Sequence, residues 1–127
     1  GLDLQRVANM HDLDINTVIS IHTAYTYTVF AIGFTPGFAY LGEVNEKIST
    51  PRLETPRRVV PKGSVAIANN QTAIYPEQSP GGWNIIGKTN FEMFDKKIER
   101  LCPVEMGDKI QFIPITKEEF IDNGGQI

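Results

Sequence analysis

Between Ile48 and Pro61 the chain places Pro51, Pro56 and Pro61 in one short stretch, with Arg52, Arg57 and Arg58 among them. Proline lacks a backbone N–H and fixes φ, so this spacing rules out a helix or a central strand. The stretch has to run extended, along an edge or as a loop. Its prolines also reduce the entropy lost on ordering. That suits a segment holding arginines, whose planar forks match carboxylate or phosphate. The competing reading is solvated charge pairing with Glu54 or Glu43.

Around this segment the sequence breaks into short β-type runs. Tyr25 to Phe34 is aromatic and β-branched with rough alternation. Ser64–Ala68 and Gln71–Pro76 flank the turn pair Asn69-Asn70, which predicts a hairpin. Trp83–Ile86 and Lys109–Ile115 read as further strands. Residues 1–12 fit a helix or a loop. Asp14 is placed to cap a helix from Ile15 to Thr23, with His22 at its end or in its packing face. Thr116 is placed to cap a short helix, Lys117 to Ile121, with Glu119 at the capping-box position. Phe91 to Phe94 reads as a helical turn, Arg100 to Val104 as a loop, and residues 123–125 as a frayed end. Short strands, Pro/Gly turns and little helix predict one mainly β domain, an antiparallel sheet closed into a barrel or sandwich.

Several functions are disfavoured on composition. A net charge of −3 without a basic run argues against nucleic acid as a partner. No apolar run has the length of a membrane span, and the amino end does not read as a signal peptide. The single cysteine, Cys102, has no internal partner and sits between Leu101 and Pro103, which reads as a quiet buried thiol in a reducing cytoplasm. His11 and His22 lack a third ligand at metal spacing, so no metal site is expected. No Ser-His-Asp arrangement and no Gly-x-Ser-x-Gly elbow can be read, and the catalytic residues stay unknown.

The recognition chemistry concentrates in two stretches. In Ser79-Pro80-Gly81-Gly82-Trp83 the glycines allow close backbone approach, Pro80 stiffens the entry and Trp83 adds a flat wall with one N–H; the competing reading is a Pro-Gly-Gly hairpin with a core Trp. Phe34, Pro36, Gly37, Phe38 and Tyr40 form an aromatic-flanked turn, with Pro36-Gly37 suited to the centre of a type II turn, and read equally as a pocket rim or as an aromatic mini-core gripping the turn. Gln71 and Tyr75 bring polar tips able to orient an amide or, as readily, to bond to backbone. Gly82 to Thr89 also spells the P-loop pattern. Its interior, Trp83, Ile85 and Ile86, is bulky and strand-like, and too little chain follows for a sheet built at about 30 residues per βαβ unit.

Three blocks carry a resemblance: Gly33 to Gly42 (GFTPGFAYLG), Thr50 to Ala68 (TPRLETPRRVVPKGSVAIA) and Gln71 to Thr89 (QTAIYPEQSPGGWNIIGKT). In content and order they resemble the family of 5-oxoprolinase B subunits, also called allophanate hydrolase subunit 1. That family includes KipI, an inhibitor of a sporulation histidine kinase, and has related domains in urea carboxylases and urea amidolyases. The resemblance implies a cyclophilin-like closed antiparallel β-barrel. Residues 1–127 would form the carboxy-terminal domain, 1–24 its helical lead-in, with the family's amino-terminal domain absent.

The same resemblance implies a cytoplasmic, non-autonomous part of an enzyme, working with the homologous 5-oxoprolinase C subunit and with the A subunit. The reaction is ATP-dependent opening of 5-oxoproline to glutamate, with ATP bound by the complex rather than by this domain alone. The expected substrate site is Phe34, Pro36, Gly37, Phe38, Tyr40, Arg52, Arg57, Gln71, Thr72, Tyr75, Ser79, Pro80, Gly81, Gly82 and Trp83, converging on one concave face. Arg52 or Arg57 would hold a carboxylate. The alternatives are an inhibitory module for a sensor histidine kinase, and a component of a urea- or allophanate-processing enzyme.

Overall fold

Alternating apolar residues in short runs build the centre of the computed structural model, which describes residues 1–33, 38–91 and 105–122. The strands are β1 (Tyr27–Ile32), β2 (Ala39–Gly42), β3 (Arg57–Val60), β4 (Ser64–Ala68), β5 (Gln71–Ile74), β6 (Ser79–Gly81), β7 (Asn84–Lys88) and β8 (Lys109–Ile110). Six form one antiparallel sheet in the order β7-β4-β5-β2-β1-β8, and β3 pairs with β6 in a separate ribbon. Among the described residues the sheet is open, with β7 and β8 at its edges. The mainly antiparallel β architecture is therefore present, while closure into a barrel is not seen in these strands.

Strand β4 shows why the sheet needs cover on both sides. All five of its residues are buried. Val65 and Ile67 join a core with Leu4, Val7 and Ala8 of helix α1 (Leu4–Met10) and Val18 of helix α2 (Ile15–Ala24). Ala66 and Ala68 face the other way, into a second core with Phe38, Val60, Tyr75 and Trp83. The period of two along a strand makes this division. Helices cover the first face, and Val60 of the ribbon packs into the second.

Local chemistry accounts for the helix and turn positions. Asp14 caps α2 by accepting from the Thr17 N–H at 2.7 Å. Helix α3 (Lys117–Asp122) opens on a reciprocal box, in which the Glu119 N–H donates to Thr116 Oγ1 and the Thr116 N–H to Glu119 Oε1. Asn69 takes a left-handed φ of 54° in the β4–β5 turn, a conformation Asn tolerates.

Some expectations need correcting. Ser79-Pro80-Gly81 is a strand paired with β3 rather than a free turn. The final strand shrinks from Lys109–Ile115 to Lys109–Ile110, because Ile110 already faces Tyr27, the first residue of β1, and the chain then runs past its partner. The Pro-rich segment holds no helix: it runs as a loop with a bend at Glu54-Thr55, and its last part forms β3. Cys102, the helical turn expected beyond Phe91, the loop at 100–104 and the end at 123–125 lie outside the described residues. No described helix is long and apolar enough to cross a membrane.

Candidate functional site

The second core is where the aromatic residues meet. Phe38 precedes β2, Tyr40 lies on it, Tyr75 follows β5 and Trp83 precedes β7. Phe38 meets Tyr75 edge-on at 5.4 Å and Trp83 edge-on at 5.7 Å, while Tyr40 lies 4.9 Å from Phe38 and 6.0 Å from Trp83. These are the offset and edge geometries that aromatic quadrupoles favour. Ala66, Ala68 and Ala73 share the same cluster, small enough to leave room for the rings. Phe38, Tyr75 and Trp83 are buried, Tyr40 is half-buried, and Phe30 lies 6.3 Å from Tyr40 with 45% of its surface exposed. The aromatic group thus runs from the interior out to solvent.

Of the arginines in the Pro-rich segment, Arg52 reaches this cluster. The Arg52 guanidinium carbon stands 5.6 Å from the Trp83 ring centroid, within cation–π range. Its neighbour Leu53 donates a backbone hydrogen bond to Gly82 O at 2.7 Å, which lays the Pro-rich segment along the Gly-Gly stretch. Arg57 behaves differently from expectation. Its fork is filled by Asp3, with Nη1 donating to Oδ2 at 2.5 Å and Nη2 to Oδ1 at 2.7 Å. It is therefore engaged as a structural clamp rather than presented to a ligand carboxylate, and neither Glu43 nor Glu54 is its partner. Burial of Asp3 pushes its carboxyl pKa up. The Arg57 hydrogen bonds, the Ile85 N–H and the charges of Arg57 and Arg6 outweigh that and hold it below the usual value.

Gly81 is required by its neighbour. A Cβ built there would overlap the Tyr75 hydroxyl oxygen and lie 2.9 Å from Cζ. Burial pushes the Tyr75 phenol up, while a hydrogen bond with the Trp83 backbone and the charge of Arg52 pull the other way. Tyr75 is buried and packed edge-on against Phe38, so Gly81→Ala is expected to destabilise the protein by about 1–3 kcal/mol through overpacking. Equilibrium urea unfolding measures this. Adding Tyr75→Phe should restore part of the loss, and an unchanged midpoint in Gly81→Ala alone would mean that the phenol swings aside freely.

The other expected site residues divide. Ser79 and Pro80 lie on β6, with Ser79 opposite Val60 and Gly81 opposite Arg57. Gly82 sits near Pro56, with a built Cβ 3.7 Å from Pro56 Cγ. Gln71 pairs with Gly42 and Ala68 at the end of β5, on the same strand parity as Ala73 and Tyr75. Thr72 stands apart from these. It points to the opposite face, fully buried, donating to Ala66 O at 2.8 Å and hydrogen-bonded to His22 Nε2 at 2.9 Å. Phe34, Pro36 and Gly37 lie outside the described residues. Residues Asn84–Lys88 of the P-loop-like string form strand β7, so Lys88 ends a strand instead of opening a helix.

Three polar residues that matter here are not evident from local sequence. Asp3 holds Arg57; Asn84 is fully buried beside Trp83; Arg6 donates to Asn84 Oδ1. For Asp3 and Asn84 the available signal is a lone polar residue inside an apolar run, as in Leu2-Asp3-Leu4 and Trp83-Asn84-Ile85. Among the described residues, no group of three or more His, Cys, Asp and Glu is arranged to hold a metal. A large cavity of about 1120 Å³ lies elsewhere, bordered by α2, β7, β8 and α3, with His22 in its wall and none of the expected site residues in its lining.

Comparison with known proteins bears on this geometry. A family model described as "Carboxyltransferase domain, subdomain C and D" matches residues 1–104. A protein of Haemophilus influenzae, named as the B subunit of 5-oxoprolinase, is 47% identical over 113 residues, covering 89% of this chain and 53% of that protein. One of the same name from Bacillus subtilis is 40% identical over 120 residues, covering 94% and 50%. The chain thus spans about half the length of the curated relatives it matches. The crystal structure of a conserved uncharacterized protein from Pyrococcus horikoshii superposes with a TM-score of 0.90 at 47% identity, covering 94% of this chain and 56% of that one. The Kluyveromyces lactis urea carboxylase, at 22% identity and a TM-score of 0.78 over 94% of this chain and 11% of its own, shares the fold.

Proposed function

The chain belongs to the family of carboxyltransferase domains, subdomains C and D, and we propose that it is the carboxy-terminal half of a 5-oxoprolinase B subunit. It acts with the A and C subunits in a cytoplasmic complex that adds water across the lactam of 5-oxoproline to give glutamate. The relatives named as 5-oxoprolinase B subunits support this reading. The observation that carries it into chemistry is Arg52 over Trp83 beside Phe38 and Tyr40. We further propose that the sheet closes into a cyclophilin-like barrel in the complete protein.

5-Oxoproline is a small flat lactam with one carboxylate. The lactam packs against the half-exposed aromatic side around Tyr40, and Arg52 takes the carboxylate through charge-assisted bonds. Arg57 cannot share this work while Asp3 fills its fork. Gln71, on the same strand parity as Tyr75, orients the amide. Backbone groups of Gly81 and Gly82 meet the charge that develops on the ring carbonyl. ATP supplies the driving force through a partner chain, in keeping with the strand conformation of Asn84–Lys88. The general acid and base come from partner chains as well.

The test uses the full-length protein reconstituted with its partners. Arg52→Ala should raise KM for 5-oxoproline about 10- to 100-fold, the equivalent of one charge-assisted contact of roughly 1.5–3 kcal/mol, with kcat far less affected. A wild-type KM in this variant would remove Arg52 from the site.

A further inference from the structure

Cation–π attraction at an exposed site is a weak contact, and it forms only where the backbone sets the arginine within reach of the ring. Stacking of Arg52 on Trp83 at 5.6 Å therefore depends on how the backbone at Arg52 is held. We propose that Asn84 is the residue that holds it, a positioning residue for Arg52 that never touches the ligand. The proposal rests on the substrate role given to Arg52, but its first test does not.

Asn84 has no exposed surface. Its Nδ2 donates to Pro51 O at 2.9 Å and Ile67 O at 3.0 Å, with Thr50 O further off at 3.4 Å. Its Oδ1 accepts from Arg6 Nη1, and Arg6 also reaches Pro51 O at 3.4 Å. One amide therefore joins α1, β4, β7 and the residue immediately before Arg52. Pro51 has no N–H, so its peptide oxygen is the handle by which the chain can be gripped there. On the other side of Arg52, the Leu53 N–H is fixed to Gly82 O, and further back Thr50 O accepts from the Asn69 N–H at 2.7 Å. Arg52 is thus bracketed on both sides, and the bracket ends on Trp83's own neighbours, Gly82 and Asn84. Ring and cation are fixed to each other through two short paths.

The chemistry leaves little choice at position 84. Both donor and acceptor are needed, in a buried place, with no net charge. Asp would aim an anion at the carbonyls of Pro51 and Ile67. Leu would remove the donor to Pro51 O and Ile67 O and the acceptor for Arg6, leaving Arg6 and Pro51 O only their long contact at 3.4 Å. Ser is too short to reach both carbonyls.

The experiment follows the indole N–H resonance of Trp83 in the full-length protein, identified by its loss in Trp83→Phe. Arg52→Ala removes the cation and sets the reference shift. Asn84→Ser should move the resonance in the same direction, and Asn84→Ser combined with Arg52→Ala should match Arg52→Ala alone. A shift from Asn84→Ser that persists undiminished in the absence of Arg52, or no shift in a folded protein, overturns the proposal. Should Asn84→Ser not fold, Arg6→Met loosens the same amide from the surface and should give a smaller shift in the same direction; none would equally overturn it. In the reconstituted enzyme Asn84→Ser should raise KM at least tenfold, without further increase in the double variant. If the resonance behaves as expected while neither variant changes KM, the substrate reading fails and the positioning role stands.

Discussion

Lowering the pH from 7 to 4 should cost this protein about 3 kcal/mol of stability through His22. The ring is buried against Tyr27 at 5.4 Å and Phe112 at 4.7 Å, with Nε2 on the Thr72 hydroxyl. Burial pushes its pKa from 6.5 down to about 4. The unfolded chain therefore takes up a proton below pH 6.5 while the folded one stays neutral. The unfolded state binds more protons across that window, so stability is full above pH 6.5, falls through the interval and levels off near pH 4. Tyr27, whose phenol burial raises to about 12, stays neutral throughout and offers no counter-charge. Urea unfolding at pH 7, 5.5 and 4.5 measures the effect. His22→Gln keeps a polar contact for Thr72 and should flatten the profile by about that amount. Parallel profiles for the two proteins would show that His22 is solvated after all.

Asp3→Asn should be the most damaging conservative change in the polar part of the fold, at about 2–3 kcal/mol. Surface ion pairs contribute under about 1 kcal/mol and broken buried pairs cost about 3–5. This one lies between, because Asp3 keeps 6% of its side-chain surface and Arg57 keeps 28%. The carboxylate accepts both guanidinium bonds and the Ile85 N–H at 2.8 Å, so an amide in its place turns a donor toward donors. Its pH signature is separate from that of His22. The folded carboxyl titrates below its ordinary value of 3.8, so the unfolded chain protonates first as acid is added. The pair's contribution is complete above about pH 4 and is lost as pH falls through the folded value. Wild type should show this acid limb and Asp3→Asn should lack it. A double-mutant cycle with Arg57→Met should return a coupling well above that of a surface pair, and a coupling near zero would contradict the clamp.

The contrast between Tyr75 and Thr72 shows how far the residues alone can be read. Both stand in one block whose character is visible, and a strict period of two already separates them onto opposite faces. Applied to the block, that period removes Thr72 from the site. No such rule exists for Arg52 and Arg57. The two have the same chemistry and lie five positions apart in one Pro-rich stretch. Which one meets Trp83 and which meets Asp3 depends on where helix α1 and the β3–β6 ribbon come to rest.

What the amino-acid order determined by itself were the features whose partners are close along the chain. The Asp14 and Thr116 caps, the Asn69-Asn70 hairpin and the helix-free Pro-rich segment each depend on dihedral preferences and contacts within a few residues. The tertiary structure alone decided the partners of the buried polar groups: Arg57 with Asp3, Asn84 with Pro51 and Ile67, His22 with Thr72. A buried donor must find an acceptor wherever the fold supplies one, and sheet topology brings together residues dozens of positions apart. Local preferences are blind to that proximity, so the chain's chemistry was legible before its pairing was.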